Sequence, residues 1–376
     1  MIDPFLIAAD DVRDFIRDAS RRSLGTFDDR PDGFASEGLN VRFDRLALRL
    51  FQLQYDTLPT YRIWCDQRRR TPGTFKTWKD FPSVPTAAFK EVELSCIPAV
   101  HRIAVFHSSG TTASQPSRHF HSQNSLSLYE ESLRPWFRRH SIELPQPYGL
   151  GQRCSFVSLT PRVEAIPQSS LGYMLGCVAT EFSGASPVFG GRLGKDGWEL
   201  DLEKIEETLF SAVDESRPVI LLGTAFNFVH LMDHLDARGL RYTLPKGSRI
   251  METGGYKGRS RSVSRVELWE MISARFGVGE GGILTEYGMA ELSSQAYDVG
   301  DGFRFPAWAR VRIVNPETGV EVEDGVAGLV QIVDLANVWS VAAIETQDLG
   351  IRRGATFELL GRANAAESRG CSLLMG

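Results

Sequence analysis

A chain of 376 residues, 42% of them apolar, has enough material for one large or two medium domains around sizeable cores. Its formal net charge of −5 and ordinary 24% of charged residues offer no basic surface for nucleic acid, and the run Arg68-Arg69-Arg70 reads as a solvated face. The five cysteines (Cys65, Cys96, Cys154, Cys177 and Cys371) are odd in number and never spaced CxxC, so neither a disulfide framework nor a zinc site is indicated. Cys154 and Cys177 stand in apolar stretches and read as buried small hydrophobes. No basic region followed by an apolar core opens the chain, and no apolar run matches a bilayer, so the expected compartment is the reducing cytoplasm without integral membrane association.

In chain order, the first hundred residues read as helical. Residues 10–23 carry Val12, Phe15 and Ile16 at helical spacing, and residues 39–55 repeat the pattern with Phe43, Leu46, Leu50 and Leu53. Pro82 and Pro85 then break the chain before an extended segment. Beyond residue 100, short apolar strands alternate with amphipathic helices: a strand at 102–106, a helix at 124–140 and a strand at 154–159. A helix at 201–215, a buried strand at 218–222 and a helix at 226–238 stopped by Gly239 follow. Ser264 with Glu267 forms a capping box for a helix ending near residue 276, and 282–285 is a further strand. This alternation predicts an α/β architecture. After Phe303 the chain turns strand-rich, with 311–314, a turn at Asn315-Pro316, and 328–333. No repeat or linker interrupts it, so one compact unit is expected.

The segment His107-Ser108-Ser109-Gly110-Thr111-Thr112-Ala113-Ser114-Gln115-Pro116-Ser117-Arg118 is predicted to lie between a strand and a helix. Small hydroxyl residues and Gly110 let backbone N–H groups approach a polyphosphate, and Arg118 can supply positive charge. No Gly-Lys-Ser/Thr ending is present, so this is not a Walker loop. By composition alone a surface turn is the favoured explanation. His230 and His234 stand four apart on a predicted helix, but Leu231 follows His230 where a metalloprotease motif has Glu, and no third ligand is apparent. His230 is expected to pack near a pocket instead.

Ser108-Ser109-Gly110-Thr111-Thr112 resembles the signature loop of the adenylate-forming superfamily, and four further segments fall in that superfamily's order. Glu252-Thr253-Gly254-Gly255-Tyr256 is similar to its adenine-binding segment. Glu286-Tyr287-Gly288-Met289-Ala290-Glu291 resembles the element whose glutamate binds magnesium. Glu345-Thr346-Gln347-Asp348-Leu349-Gly350 resembles the segment whose aspartate holds the ribose, and Leu360-Gly361-Arg362 the hinge whose arginine also reaches it. The resemblance implies ATP and Mg2+ as cofactors, with Glu291 as metal ligand and Glu291 and Arg118 as catalytic charge. A carboxylate attacking an α-phosphate sets anion against anion, so such a site must neutralise charge and align the reactants. Ala113 stands where the family usually has Gly, and Ala290 where it has Thr before the glutamate.

Members of that superfamily usually continue past the hinge into a mobile C-terminal domain with a catalytic lysine, whereas here residues 363–376 follow. The tail Arg369-Gly370-Cys371-Ser372-Leu373 resembles the acyl-protein synthetases of the LuxE type. Val84-Pro85-Thr86-Ala87-Ala88-Phe89-Lys90, Leu171-Gly172-Tyr173-Met174 and Phe226-Asn227-Phe228-Val229-His230 are similar to upstream segments of the same family. The resemblance covers most of residues 80–376. It implies the large α/β N-terminal domain of an adenylate-forming enzyme, with a β-rich subdomain and no mobile C-terminal domain. The expected organisation is a helical region over 1–100, an adenylation core over 101–362, and a cysteine-bearing tail over 363–376. The implied activity adenylates a fatty acid, loads it on Cys371 and passes it to a reductase or carrier protein. A thiolate suits that step, and Arg369 favours its charged form. Ser170, Met174, Phe226 and His230 are candidates for an acyl pocket, although core packing explains them as well. An acid–CoA ligase and a degenerate nucleotide-binding scaffold remain as alternatives.

Overall fold

Runs of Val, Ile and Leu bounded by turn residues form parallel strands buried on both faces, and the amphipathic segments between them supply the cover. The computed structural model describes residues 3–23, 37–108, 115–143, 154–195, 197–254, 263–279 and 281–363. The chain divides into two units, the first made of Met1–Leu133, Met289–Ala296 and Gly302–Gly376, the second of Arg134–Gly288 and Tyr297–Asp301.

In the second unit the strands Ile283–Tyr287, Arg249–Thr253, Val219–Thr224, Ser155–Ser158 and Val188–Phe189 lie side by side in that order, each pair parallel. Val219, Ile220, Leu221 and Leu222 are all buried, as a central parallel strand requires. The helices Leu202–Asp214, Ala225–Ala237 and Arg265–Phe276 set Leu209, Phe228, Met232, Leu268 and Ile272 into one core with Leu221 and Ile250. The predicted capping box of Ser264 and Glu267 is present, and Gly277 ends that helix at φ 64. A second box, Thr224 with Asn227, starts Ala225–Ala237.

The first unit opens with the helices Pro4–Ser23, Glu37–Thr57 and Pro59–Gln67. The first begins earlier than the predicted residue 10. Pro4 stands in the first turn, where its missing N–H leaves nothing unpaired, and the Asp3 carboxylate accepts from the Phe5 N–H at 2.9 Å. Phe15 meets Phe43 edge-on at 6.4 Å, which joins the first two helices. Gln54, 1% exposed, donates to the carbonyls of Asn337 and Val338 and accepts from the Ala342 N–H. A buried amide with both donors and its oxygen engaged fixes the second helix on the turn at 337–342.

The strands Val84–Pro85, Ala343–Arg353, Ala327–Asp334 and Ala309–Val314 form the sheet of this unit, and Thr356–Arg362 pairs with Ala343–Arg353. Val84–Pro85 runs parallel to its neighbour. Asn315 makes the predicted turn by accepting from the N–H groups of Glu317 and Thr318. Cys154 and Cys177 are half-buried, not buried as expected. Cys154 lies just before a strand, and its thiol donates to the Phe182 carbonyl at 3.2 Å.

Candidate active site

The segment after the Ser/Thr-rich loop departs from expectation. Instead of entering a helix directly, Arg118–His121 returns as a strand against Ala104–His107, with His107 opposite Arg118. Residues 109–114 lie outside the described residues, and Ser109, Gly110, Thr111 and Thr112 with them. The loop's two ends are described. The Ser117 N–H donates to Ser108 Oγ at 3.0 Å, and the Ser108 N–H donates to Ser117 Oγ at 3.3 Å. This reciprocal pair closes the mouth of the loop.

Side chains on a strand alternate between faces. Ser117, His119 and His121 point inward and are buried, whereas Arg118 and Phe120 are only partly covered. The Ser117 hydroxyl is among the groups that draw the carboxyl of Glu291, itself 4% exposed, toward its ionised form. His119 Nδ1 lies 2.8 Å from the Ala290 carbonyl. A carbonyl only accepts, so that contact fixes the Nδ1–H tautomer, and burial holds the ring neutral with its pKa lowered to about 4. Arg118 is not brought to Glu291. It lies on the other face, where its charge acts on Glu93.

Two other cations act on Glu291. Burial pushes its carboxyl up, while the Ser117 hydroxyl, a backbone N–H, Lys90 and Arg362 pull it back toward the ionised form. Lys90 is placed by the docking of Val84–Pro85 beside Ile344 and Glu345, sealed by the Thr86 N–H on the Glu345 carbonyl at 2.9 Å. Arg362 stands opposite Asp348 in the antiparallel ladder, with Nε 3.7 Å from Oδ1. Gly361 precedes it at φ 112, a conformation that a side chain would strain, and so the hinge motif needs its glycine. The two residues expected on the ribose are therefore neighbours.

A buried polar network stands behind Glu291. Asn337 Nδ2 donates to the Glu291 carbonyl at 2.8 Å, and its Oδ1 accepts from Ser293 Oγ at 2.7 Å. Asp334, 0% exposed, accepts from the Ser293 and Ala336 N–H groups and from Ser294 Oγ. Ser294 Oγ lies 2.9 Å from Ser132 Oγ, to which the Trp308 indole donates. Neither Asn337 nor Asp334 belongs to a recognised motif. The signal for Ser117 is the inward alternation after Pro116, and Lys90 ends the segment at 84–90.

In the second unit the remaining motif residues meet the C-terminal edge of the parallel sheet, the side at which such sheets bind ligands. Thr253 is in register with both Thr224 and Glu286, so Gly254, Ala225 and Tyr287 leave the sheet at neighbouring positions. Gly254 has φ 70 and open space where a Cβ would stand. Gly288 is exposed, and Gly255 and Tyr256 lie outside the described residues. Glu252 and Glu286, which begin their motifs, are buried carboxyls that burial pushes up to about 7, paired with the hydroxyls of Thr285 and Thr253.

The four acyl-pocket candidates separate. Phe226 and His230 line a cavity of about 280 Å³ with Trp198, Leu200 and Leu202, and their rings lie 4.3 Å apart. Ser170 and Met174 do not line it. Met174 is 2% exposed on the inner face of the helix Ser170–Phe182 and belongs to the core, while Ser170 is the first residue of that helix. His234 pairs with Glu206, not with a metal partner. Cys371 lies outside the described residues.

The acyl-protein synthetase (LuxE) family profile matches residues 194–376. The long-chain-fatty-acid–luciferin-component ligase of Aliivibrio fischeri is 23% identical, across 98% of this chain and 94% of the relative. An open-conformation 2-hydroxyisobutyryl-CoA ligase, solved with 2-HIB-AMP and CoA, superposes with a TM-score of 0.61 at 16% identity, over 85% of this chain and 75% of that one. The same ligase in its postadenylation state gives 0.63 at 14% identity, over 85% and 67%. The fold is therefore that of the adenylate-forming ligases. No helix among the described residues is long and apolar enough to cross a membrane.

Proposed function

Since residues 194–376 belong to the acyl-protein synthetase (LuxE) family, we propose that this chain activates a fatty acid with ATP and passes the acyl group, by way of Cys371, to a partner reductase or carrier protein. The observation that carries the assignment to a site is the convergence on Glu291 of Ser117, Lys90 and the Asp348-paired Arg362, from four distant stretches of sequence.

In the first half-reaction a carboxylate oxygen of the acid bonds to the α-phosphorus of ATP. The P–O bond to the β-phosphate breaks, and pyrophosphate leaves with the electron pair. Lys90 and Arg362 lower the repulsion between the anions, the task that sequence reasoning gave to Arg118. Asp348 and Arg362 hold the ribose. In the second half-reaction the Cys371 thiolate adds to the acyl carbonyl, and AMP leaves with the electrons of the acyl–oxygen bond. A thioester remains on the protein.

The donor set fits magnesium. Mg2+ takes one or two carboxylates and completes its shell with phosphate oxygens and water. Glu291 offers one, and no group of three His, Cys, Asp or Glu side chains gathers elsewhere among the described residues. Bound there, the ion would neutralise charge on the phosphates. Ser117, Lys90 and Arg362 pull Glu291 toward the ionised form that this needs, against the larger opposing effect of burial.

Pyrophosphate exchange across a panel of carboxylic acids, with intact-mass measurement of wild type and Cys371→Ser, tests both steps. The variant should retain acid-dependent exchange and lose the acyl adduct. An adduct of unchanged mass and yield would remove Cys371 from the mechanism. Product that forms only with CoA would replace the protein-thiol reading with an acid–CoA ligase, and ATP binding without exchange would leave a nucleotide-binding scaffold. The reducing cytoplasm is the expected setting for this thiol chemistry.

A further inference from the structure

We propose that Thr346 is a positioning residue, whose hydroxyl holds the β-bulge that carries Asp348 and so aims that carboxylate at the ribose of a bound nucleotide. The inference rests on the adenylation reading and goes beyond it, by giving a role to a residue that the reading leaves without one.

The antiparallel register between Ala327–Asp334 and Ala343–Arg353 breaks inside the ribose motif. Gln331 pairs with Glu345 and Leu329 with Leu349, so Val330 alone faces Thr346, Gln347 and Asp348. An excess of residues on one strand bends it out of the ladder, and such bulges re-aim side chains beside active sites. The ladder on the other side is irregular nearby. Leu349 pairs with Gly361 and Gly350 with Leu359, which leaves Leu360 without a counterpart. Asp348, opposite Arg362, stands between the two irregularities.

A bulge takes ladder groups away from their ordinary partners, and the Thr346 hydroxyl serves two of them. Its single proton goes to the Val330 carbonyl at 2.9 Å, since a carbonyl only accepts, and its oxygen accepts from the Asp348 N–H at 3.1 Å. One hydroxyl thereby ties the main chain of Asp348 to the facing strand. Thr346 is 3% exposed and Val330 0%, so water does not compete for these bonds. Branching at Cβ restricts the side chain's rotation and keeps the hydroxyl in direction. From the opposite side, the Ala363 N–H donates to the Gln347 carbonyl at 2.9 Å, and Arg362 Nε stands 3.7 Å from Asp348 Oδ1. The bulge is pinned on both flanks, and Thr346 is the pin on the flank of Val330.

The test is calorimetric binding of ATP and of 2′,3′-dideoxy-ATP to the full chain. The variants are Thr346→Val, which keeps the branched shape without the hydroxyl, Thr346→Ser, Asp348→Ala and the Thr346→Val/Asp348→Ala double variant. Wild type should prefer ATP by at least about ten-fold, through the ribose hydroxyls on a charged acceptor. Thr346→Val should bring that preference under about three-fold by weakening ATP, with dideoxy-ATP affinity changed less than about two-fold. Thr346→Ser should restore the preference, and the valine change should add under about two-fold to Asp348→Ala. A full preference in Thr346→Val, or an equal weakening of both nucleotides, overturns the positioning role. If Thr346→Val does not fold, Thr346→Ala carries the same expectation, and failure of both to fold would make the hydroxyl a structural requirement and overturn the assignment. Wild type that binds neither nucleotide would sink the adenylation reading itself, whereas a wild-type preference that Thr346→Val leaves intact sinks only the role of Thr346.

Discussion

At the scale of single residues, the site depends on groups that sit behind the motif residues. Asp334 shows this most clearly. Its carboxylate is wholly buried and accepts from the Ser293 N–H and the Ser294 hydroxyl in the segment that follows Glu291, and from the Ala336 N–H of its own turn. Asp334→Ala leaves three buried donors without an acceptor, each costing about 1–3 kcal/mol, with partial recovery from relaxation. We expect the variant to be destabilised by about 2–4 kcal/mol in urea unfolding. A loss under about 0.5 kcal/mol, the range of an ordinary surface change, would mean that the network does not support the turn. Nothing in the local sequence marks Asp334, because a carboxylate in a strand is more often solvated.

At the scale of elements, two neighbouring parallel strands each deliver a buried glutamate, Glu252 and Glu286, to the start of a motif. Burial raises both to about 7, above the range of a solvated carboxyl. The folded state therefore holds protons that the unfolded chain has already released. Their stabilising contribution is complete below the unfolded value and is lost as pH rises toward 7. Unfolding free energy should fall across about pH 4.5 to 7, and Glu286→Gln should flatten that slope. Chemical denaturation at a series of pH values measures it, and an unchanged slope in the variant would show that Glu286 is already ionised when folded. Elements of this sheet were legible because their rule is local: apolar runs of strand length, and capping residues such as Ser264 with Glu267. The strand Arg118–His121 was missed because its four residues, Arg118, His119, Phe120 and His121, have no apolar alternation. Only pairing with Ala104–His107 makes them a strand.

At the scale of the whole molecule, neither unit is a continuous stretch of chain. The sheet of the first unit has Val84–Pro85 along one edge, and Gln54 ties the second helix to the turn at 337–342. The strands at 309–362 are thus completed by residues more than two hundred positions away. A fragment of residues 302–376 should show no cooperative transition in urea by circular dichroism, since it lacks both partners. A sigmoidal transition would show that this sheet folds unaided. The same dispersal divides the motif at 286–291: Tyr287 and Gly288 fall in one unit, Ala290 and Glu291 in the other.

The sequence by itself determined the α/β alternation, the helix caps, the order of the motif segments and the candidacy of Glu291, Asp348 and Arg362. These follow from local periodicity and from short segments whose residue types serve one chemistry. Only the tertiary structure decided which charges act on Glu291. Strand alternation turned Arg118 away toward Glu93, and the pairing of Val84–Pro85 with Ile344 and Glu345 brought Lys90 within reach of Glu291. It also separated Met174, a core residue, from Phe226 and His230 on their cavity. The physical reason is common to all three. The direction of a side chain is set by the pleat of its strand or the face of its helix, and that orientation is fixed only when partners from distant sequence are in place.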